Sequence, residues 1–263
     1  SEEKAFSKMM LSASKFIINS AEVSISLSST IYSLFISDDN ELVYLVTEKG
    51  NITCFNLKEG KIANDVCLGT GALYDAIIDE ENNRLIVCGE SEIIRCYKLS
   101  TFQLEFELLG HSGSVKKLCY DLYREKFYSA GFDGTIRVWD LTNLLENKIL
   151  ISHQGKINDL AIAEDNSFIA SAGEDGIIKL FDLRTETEIT QLAQSSVTCL
   201  AISSSLNILG SGSSDGRVSI WNTIDWTLLK SKGIHNGATT ALRLCETKSL
   251  IITGGEDGFV NVW

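Results

Sequence analysis

Three histidines, each spaced identically from an aspartate, are the residues of this sequence whose types and spacing could do chemistry. Each histidine lies 22 residues before an aspartate, a serine or threonine lies four residues before that aspartate, and an aromatic residue lies six residues after it. The sets are His111, Ser129, Asp133 and Trp139; His153, Ser171, Asp175 and Phe181; and His235, Thr253, Asp257 and Trp263. Serine, histidine and aspartate are the residue types of an acyl-transfer triad, in which histidine takes the hydroxyl proton.

The repetition of this set argues against catalysis. An enzyme needs one asymmetric site with an exposed nucleophile and an oxyanion stabiliser, whereas these sets recur at a fixed interval. Histidines at equivalent points of different repeats also cannot converge on one metal ion. The sequence has no phosphate-binding loop or nucleophile elbow. We therefore predict no catalytic residue, no metal site and no cofactor.

The elements that carry these sets repeat along almost the whole chain. The turn positions are spaced 42, 42, 42, 40 and 42 residues apart, and an aromatic residue follows each by six residues. The turn positions are Lys49, Ser91, Asp133, Asp175, Asp215 and Asp257. The aromatic residues are Phe55, Tyr97, Trp139, Phe181, Trp221 and Trp263. A period in the low forties, with about four strands in each period, is typical of propeller blades.

The unit from Gly110 to Asp140 is the clearest repeat. Gly110-His111 opens it, two short apolar strands follow, and the second ends at Ser129. Asp133-Gly134 predicts a tight turn, because Asp-Gly supplies the positive φ angles that two-residue hairpins need. A third, alternating strand ends in Trp139-Asp140. These dipeptides and the period resemble the WD-repeat (WD40-type) β-propeller family over about residues 29 to 263.

That resemblance implies an all-β propeller in which each His–Ser/Thr–Asp–Trp set is a structural hydrogen-bond network within a blade. The sets of His111 and His235 are complete, whereas the set of His153 lacks the indole N–H because Phe181 replaces tryptophan. The fifth repeat keeps Ser211, Asp215 and Trp221 but has Gln194 near the place of the histidine. The first two repeats have neither the histidine nor the aspartate, so we expect packing to hold them.

The predicted domain organisation is an N-terminal arm over residues 1–19 and a single propeller over residues 20–263. Residues 21–28 alternate with period two and predict an outer strand that closes the ring beside the last blade. The predicted repeat units are 29–70, 71–112, 113–154, 155–194, 195–236 and 237–263. Six blades is the direct count. Seven, the commonest number in the family that the chain resembles, is the alternative if the chain is a fragment, because residues 1–28 together with a missing C-terminal stretch would make the seventh.

The net charge, the apolar runs and the number of cysteines limit which partners and which cellular compartment we expect. The chain has 35 acidic and 23 basic residues, a net charge of −12, so its surface repels phosphate backbones and direct nucleic-acid binding is not expected. We predict no membrane span, because no apolar run approaches the length of a membrane helix. An odd number of cysteines, seven, at apolar strand positions predicts reduced, buried thiols and an intracellular, cytoplasmic or nuclear, protein.

The residue before each turn position predicts a binding face. In a propeller this residue lies at the rim of one end, near the mouth of the central channel. The rim positions are Glu48, Glu90, Phe132, Glu174, Ser214 and Glu256. We predict a non-enzymatic interaction scaffold that binds a protein or peptide segment bearing Lys or Arg there, within a multiprotein complex or a larger chain. One alternative is that acidic loops merely reflect an acidic chain. Another is an architectural subunit, an open or incomplete propeller completed by a partner's strand or blade within a larger assembly.

Overall fold

A computed structural model describes residues 27–37, 39–121, 125–142, 147–245 and 250–262. Every regular element in this part of the chain is a β-strand. The predicted arm, most of the predicted closing strand and Trp263 lie outside the described residues. Leu27 and Ser28, the last two residues of that predicted strand, are described and are not part of a strand.

The described strands number 23 and follow one another without helices between them. They are β1 (Ile31–Ile36), β2 (Leu42–Thr47), β3 (Asn51–Asn56), β4 (Lys61–Cys67), β5 (Leu73–Asp79), β6 (Arg84–Gly89), β7 (Ile94–Lys98), β8 (Leu104–Leu108), β9 (Val115–Asp121), β10 (Lys126–Gly131), β11 (Thr135–Asp140), β12 (Asn147–Ser152), β13 (Ile157–Ile162), β14 (Phe168–Gly173), β15 (Ile177–Asp182), β16 (Thr187–Ala193), β17 (Val197–Ser203), β18 (Ile208–Ser213), β19 (Arg217–Asn222), β20 (Leu228–Gly233), β21 (Thr239–Cys245), β22 (Leu250–Gly255) and β23 (Val260–Val262).

These strands form six antiparallel sheets, the blades of a propeller ring. Blades one to five each have four strands in chain order, and the described part of blade six has three, β21 to β23. The first strands of successive blades pack against one another from β1 to β21, so they line the axis. The fourth strands lie outside, and β20 is exposed along its whole length. The prediction of an all-β propeller is confirmed.

The turn between the second and third strands differs from the predicted two-residue hairpin. Three residues separate β10 from β11, and the Gly134 amide donates to the Gly131 carbonyl across 3.2 Å. Gly134 has φ of 76°, whereas Asp133 is not among the residues with positive φ. Only the glycine therefore has to adopt a left-handed backbone conformation. Asp133 keeps an ordinary backbone conformation, and its side chain can accept hydrogen bonds inside the blade.

The core lies between neighbouring blades and not within any one of them. Trp139 and Phe127 of blade three stack with ring centroids 6.0 Å apart and pack against Ile77 and Ile86 of blade two. A four-stranded sheet has two faces to cover, so the second strands of blades one to five are buried along most of their length, and β14 along all of it. Each blade therefore depends on its neighbours for burial, the expected behaviour of a repeat architecture.

A second link between blades runs along the channel wall. The Asp75 carboxylate, 1% exposed, accepts from the Ser33 hydroxyl of blade one at 2.8 Å and from the Leu118 amide of blade three at 3.1 Å. It also pairs with the Lys117 ammonium at 2.9 Å. Burial alone would lower the pKa of Lys117, but the carboxylates of Asp75 and Asp159 outweigh it and raise that pKa. One carboxylate thus joins three consecutive blades.

None of the seven cysteines, all of which are described, forms a disulfide bond, but the prediction that they are buried holds for only some of them. Cys54, Cys88, Cys96 and Cys199 are buried, whereas Cys119 and Cys245 are half-buried. Cys67 is exposed because it ends β4, the outer strand of blade one. An outer strand has only one neighbour to cover it, so periodicity alone overestimates burial there.

Substitution of Asp75 by alanine tests the channel-wall link. We expect Asp75→Ala to lower the free energy of unfolding by at least about 1–3 kcal/mol, because the buried Leu118 amide loses its acceptor. Urea denaturation measures the change. Asp65→Ala is the matched control, since the exposed Asp65 accepts from Asn51 and Thr53 within blade one alone. Equal losses for the two variants would contradict the inter-blade role.

Candidate functional site

The set of blade three forms one continuous hydrogen-bonded chain. The Trp139 indole N–H donates to the Ser129 Oγ at 2.8 Å, and that oxygen lies 2.7 Å from His111 Nε2. His111 Nδ1 lies 2.9 Å from the Asp133 carboxylate. The same carboxylate accepts from the Ser112 amide at 3.0 Å. A carboxylate acceptor on Nδ1 fixes the proton there, so the Ser129 hydroxyl donates to Nε2.

The sets of blades four and six repeat this geometry in their described parts. His153 lies 2.8 Å from the Ser171 hydroxyl and 3.0 Å from the Asp175 carboxylate. His235 lies 2.9 Å from the Thr253 hydroxyl and 3.0 Å from the Asp257 carboxylate. Blade four ends its chain at Ser171, since Phe181 has no N–H to donate. Trp263, the predicted fourth member in blade six, is outside the described residues.

Blade five brings together only part of its predicted set. Trp221 donates to the Ser211 hydroxyl at 3.0 Å, and Ser211 donates to the Gln194 side-chain oxygen at 3.0 Å. Asp215 instead accepts from the Ser213 hydroxyl and the Arg217 amide. Asp215 therefore stabilises the turn and, in its described contacts, does not join the Ser211 chain. Without an imidazole to reach it, its carboxylate bonds within its own turn.

The electrostatics of the blade-three set keep it in one protonation state. Burial is the largest influence on His111 and lowers its pKa, although Asp133 opposes the shift, so the imidazole stays neutral near pH 7. Burial would raise the pKa of Asp133, but the amides of Ser112 and Thr135 and the imidazole outweigh it and lower that pKa. The Ser129 hydroxyl is 0% exposed, so no substrate reaches this nucleophile. The arrangement is that of a triad, but its burial suits a structural role.

The six rim positions occupy equivalent places in the six blades. Each amide donates to the carbonyl of the residue 18 positions earlier, at 2.8 to 2.9 Å. The donor–acceptor pairs are Glu48–Thr30, Glu90–Ala72, Phe132–Ser114, Glu174–Lys156, Ser214–Ser196 and Glu256–Ala238. Because each bond closes the same end of a blade, the six residues lie on one end of the propeller.

The rim side chains differ in what they contact. All five polar ones are exposed, whereas Phe132 is half-buried. Glu48 accepts from the Thr30 hydroxyl at 2.6 Å, and Glu256 accepts from the Ala238 amide at 3.1 Å. The Phe132 ring lies beneath Lys156, whose Nζ is 4.9 Å from the ring centroid. The predicted aromatic anchor is thus already covered in part by a lysine of this chain.

Sequence reasoning missed four residues beside this rim. Tyr32 and Tyr74 meet edge to face at 5.2 Å, and the Tyr74 and Phe132 rings lie 6.3 Å apart. The Lys116 ammonium lies 4.8 Å from the Tyr74 centroid and 5.4 Å from that of Tyr32. We call Tyr32, Tyr74, Lys116, Phe132 and Lys156 the mouth cluster. Three of them are the second residues of first strands, a periodic position that could have signalled them.

A cleft of about 280 Å³ opens between blades three and four. Lys126, Phe181 and Arg184 are among its lining residues, and Lys126 begins β10 at the end opposite the rim. This volume lies below the usual range for small-molecule sites. In the described part of the chain no group of His, Cys, Asp and Glu is arranged to hold a metal ion, and no helix could cross a membrane.

A comparison with known protein families gives a match over more than half of the chain. The family described as "WD domain, G-beta repeat" matches residues 102–140, 146–182, 187–222 and 226–263, together more than half of the chain. Each match begins at or just before an outer strand and ends with or just after the third strand of the next blade. The matched segments leave out β1 to β7, where the predicted sets are missing.

Two further similarities concern a relative and a solved structure. A 67-residue stretch is 36% identical to a Gallus gallus protein named "p21-activated protein kinase-interacting protein 1-like". That stretch is 26% of this chain and 18% of the relative, so the chain spans less than a fifth of the relative's length. The crystal structure of the computationally designed Ika8 protein superimposes with a TM-score of 0.74 at 25% identity, covering 92% of this chain and 73% of that one.

Removing the carboxylate of blade three tests the hydrogen-bond chain. We expect Asp133→Ala to lower the free energy of unfolding by about 1–3 kcal/mol, because the buried His111 loses its acceptor. Ser91→Ala is the matched control: Ser91 holds the same turn position in blade two and accepts from the Ile93 amide. We expect it to cost much less by urea denaturation. Equal losses in the free energy of unfolding for the two variants would refute the assignment of Asp133 to a buried hydrogen-bond network.

The buried histidines predict a pH dependence of stability. Burial lowers the pKa of His111 and His153 below the ordinary 6.5, so below that pH the unfolded chain binds more protons than the folded one. The free energy of unfolding should therefore fall between about pH 7.5 and about pH 5.5, by at most about 1.4 kcal/mol per pH unit for each histidine. His111→Gln with His153→Gln, the residue that blade five uses, should flatten the slope. If the double variant kept the same dependence of the free energy of unfolding on pH, the two buried histidines would not be its cause.

Proposed function

The chain belongs to the WD-repeat family of β-propellers, and from this premise we propose that it is a non-enzymatic scaffold that binds a protein or peptide segment bearing Lys or Arg. The proposed site is the end of the propeller formed by the rim positions. One observation carries the proposal: the backbone sets the rim positions in equivalent places, and four of them hold exposed carboxylates, Glu48, Glu90, Glu174 and Glu256.

The sequence order around the ring keeps these carboxylates together. Glu48, Glu90, Phe132 and Glu174 occupy consecutive blades, and Ser214 is the uncharged rim position between Glu174 and Glu256. Carboxylates on one end sum to a negative potential that attracts cationic segments and speeds their encounter. Exposed charge contributes little to affinity, so the apolar surface of Phe132 and its neighbours should govern dissociation.

The known relative supports a protein as the partner. Its name describes interaction with a p21-activated protein kinase, and the aligned stretch is 36% identical to this chain. We therefore propose a p21-activated protein kinase as one candidate to test for binding to this chain. A multiprotein complex in the cytoplasm or nucleus is the setting that we propose, and the lack of any disulfide among the seven cysteines supports a reducing compartment.

Charge reversal on the rim tests the proposed face. We expect the variant Glu48→Lys/Glu90→Lys/Phe132→Ala to lose partners that wild type recovers in a pull-down, because both the field and the apolar contact are removed. With a recovered partner, Glu48→Lys/Glu90→Lys should mainly slow association and flatten its salt dependence. Phe132→Ala should mainly speed dissociation.

The control carries the same charge change at the opposite end of the propeller. Glu80→Lys/Glu81→Lys alters two exposed glutamates after β5, at the turn that leads into β6. This variant should keep its partners and its association rate. If the rim variant recovers the same partners in the same amounts as wild type, the rim is not the binding site.

A further inference from the structure

Three members of the mouth cluster, Tyr32, Tyr74 and Lys116, lie at a bulge that every blade shares. In each first strand the pairing register shifts around the second residue, which is left out of the ladder beside the rim. The six second residues are Tyr32, Tyr74, Lys116, Asn158, Thr198 and Thr240. A bulge re-aims the side chain of its extra residue. These residues therefore form a second ring inside the rim.

This inner ring is not uniform around the propeller. In blades four and five the second residues bond to the next blade: Asn158 donates to the Val197 carbonyl and Thr198 to the Thr239 carbonyl. In blades one to three Tyr32, Tyr74 and Lys116 contact one another instead. In blade six Thr240 donates to the Gly254 carbonyl of its own blade. The aromatic and charged side chains of this inner ring are therefore concentrated in blades one to three.

The two lysines of the mouth cluster determine which charge a partner should carry at the centre of this end of the propeller. Lys116 and Lys156 occupy the faces of the aromatic rings at 4.8 and 4.9 Å, so these cation sites are already filled by this chain. Among the described residues, neither ammonium group forms an ion pair with a carboxylate. Lys117, the neighbour of Lys116, is instead committed to Asp75.

The end of the propeller therefore has two zones of opposite charge. The outer zone consists of the rim carboxylates, and the inner zone presents two ammonium groups above apolar rings. Lys116 is half-buried, so part of its hydration is already lost, and an arriving carboxylate displaces less water than at an exposed lysine. An entirely basic segment would meet repulsion at the centre.

We propose that the mouth cluster binds an acidic side chain at the centre of the partner segment, while flanking Lys or Arg residues pair with the rim carboxylates. The inference rests on the proposed function and specifies its ligand: a segment with a carboxylate between basic flanks. The rings of Tyr32 and Tyr74 hold the Lys116 ammonium in place, so the pair forms with little loss of side-chain freedom.

Synthetic peptides that vary flank and centre independently test both proposals. Labelled nine-residue peptides carry either lysines or serines in the flanks and Asp, Asn or Lys at the centre, and fluorescence anisotropy measures their affinity for the whole chain. With lysine flanks, we expect Asp to bind about two- to fivefold more tightly than Asn, the effect of a partly exposed ion pair. Central Lys should bind more weakly than Asn.

Variants of this chain test whether the mouth cluster causes the preference for a central Asp. Lys116→Met and Lys156→Met keep much of the apolar stem but remove the charge, and we expect the double variant to lose the Asp preference. Lys230→Met removes an exposed lysine from outer strand β20 and should leave the preference unchanged.

The outcomes separate the two proposals. Stronger binding by lysine flanks without a preference for central Asp overturns this inference and leaves the proposed function standing. A preference for central Lys, or an Asp preference that survives Lys116→Met/Lys156→Met, also overturns it. No effect of the lysine flanks overturns the proposed function, and binding of none of the peptides overturns both.

Discussion

The packing of one blade against the next is the constraint on which the rest of this structure depends. Each sheet has two apolar faces and cannot cover them itself, so Trp139 of blade three is buried against Ile77 and Ile86 of blade two. The WD-repeat segments that match begin at or near the outer strand of one blade and continue through three strands of the next. Every such segment therefore ties two blades together, and stability is shared between neighbours.

The hydrogen-bonded sets reinforce this packing in some blades and not in others. Blade three uses tryptophan, serine, histidine and aspartate in one chain, whereas blade five substitutes Gln194 for the histidine and leaves Asp215 to its own turn. Blades one and two lack the histidine and instead pack through a cluster that includes Tyr44 and Tyr97. The same fold therefore tolerates different internal bonds because burial between blades is common to all.

Because packing secures the blades, the residues at one end are free to differ. The backbone bond that places Glu90 also places Phe132 and Ser214, so the rim presents charge, an aromatic ring or a hydroxyl without a change of fold. The bulged second residues behave in the same way. This freedom allows a repeat with sixfold similarity to carry an asymmetric surface, and recognition requires that asymmetry.

The sequence by itself determined the period and a propeller of six recognisable blades, and it predicted the members of the histidine sets. These follow from spacing, because a residue type that recurs at intervals of 40 to 42 residues must recur at the same point of a blade. It also predicted the rim positions. Its errors were local: the turn before Thr135 is longer than a two-residue hairpin, and Cys67 is exposed at an outer strand.

Only the tertiary structure decided which side chains meet. Asp75 joins Ser33 and Leu118 across three blades, and Lys156 covers Phe132 from the next blade. Spacing places residues on equivalent strands, but it does not determine the direction in which a bulge turns a side chain or which neighbouring blade that side chain reaches. Those contacts depend on how two sheets pack, and that geometry exists only once the ring has formed.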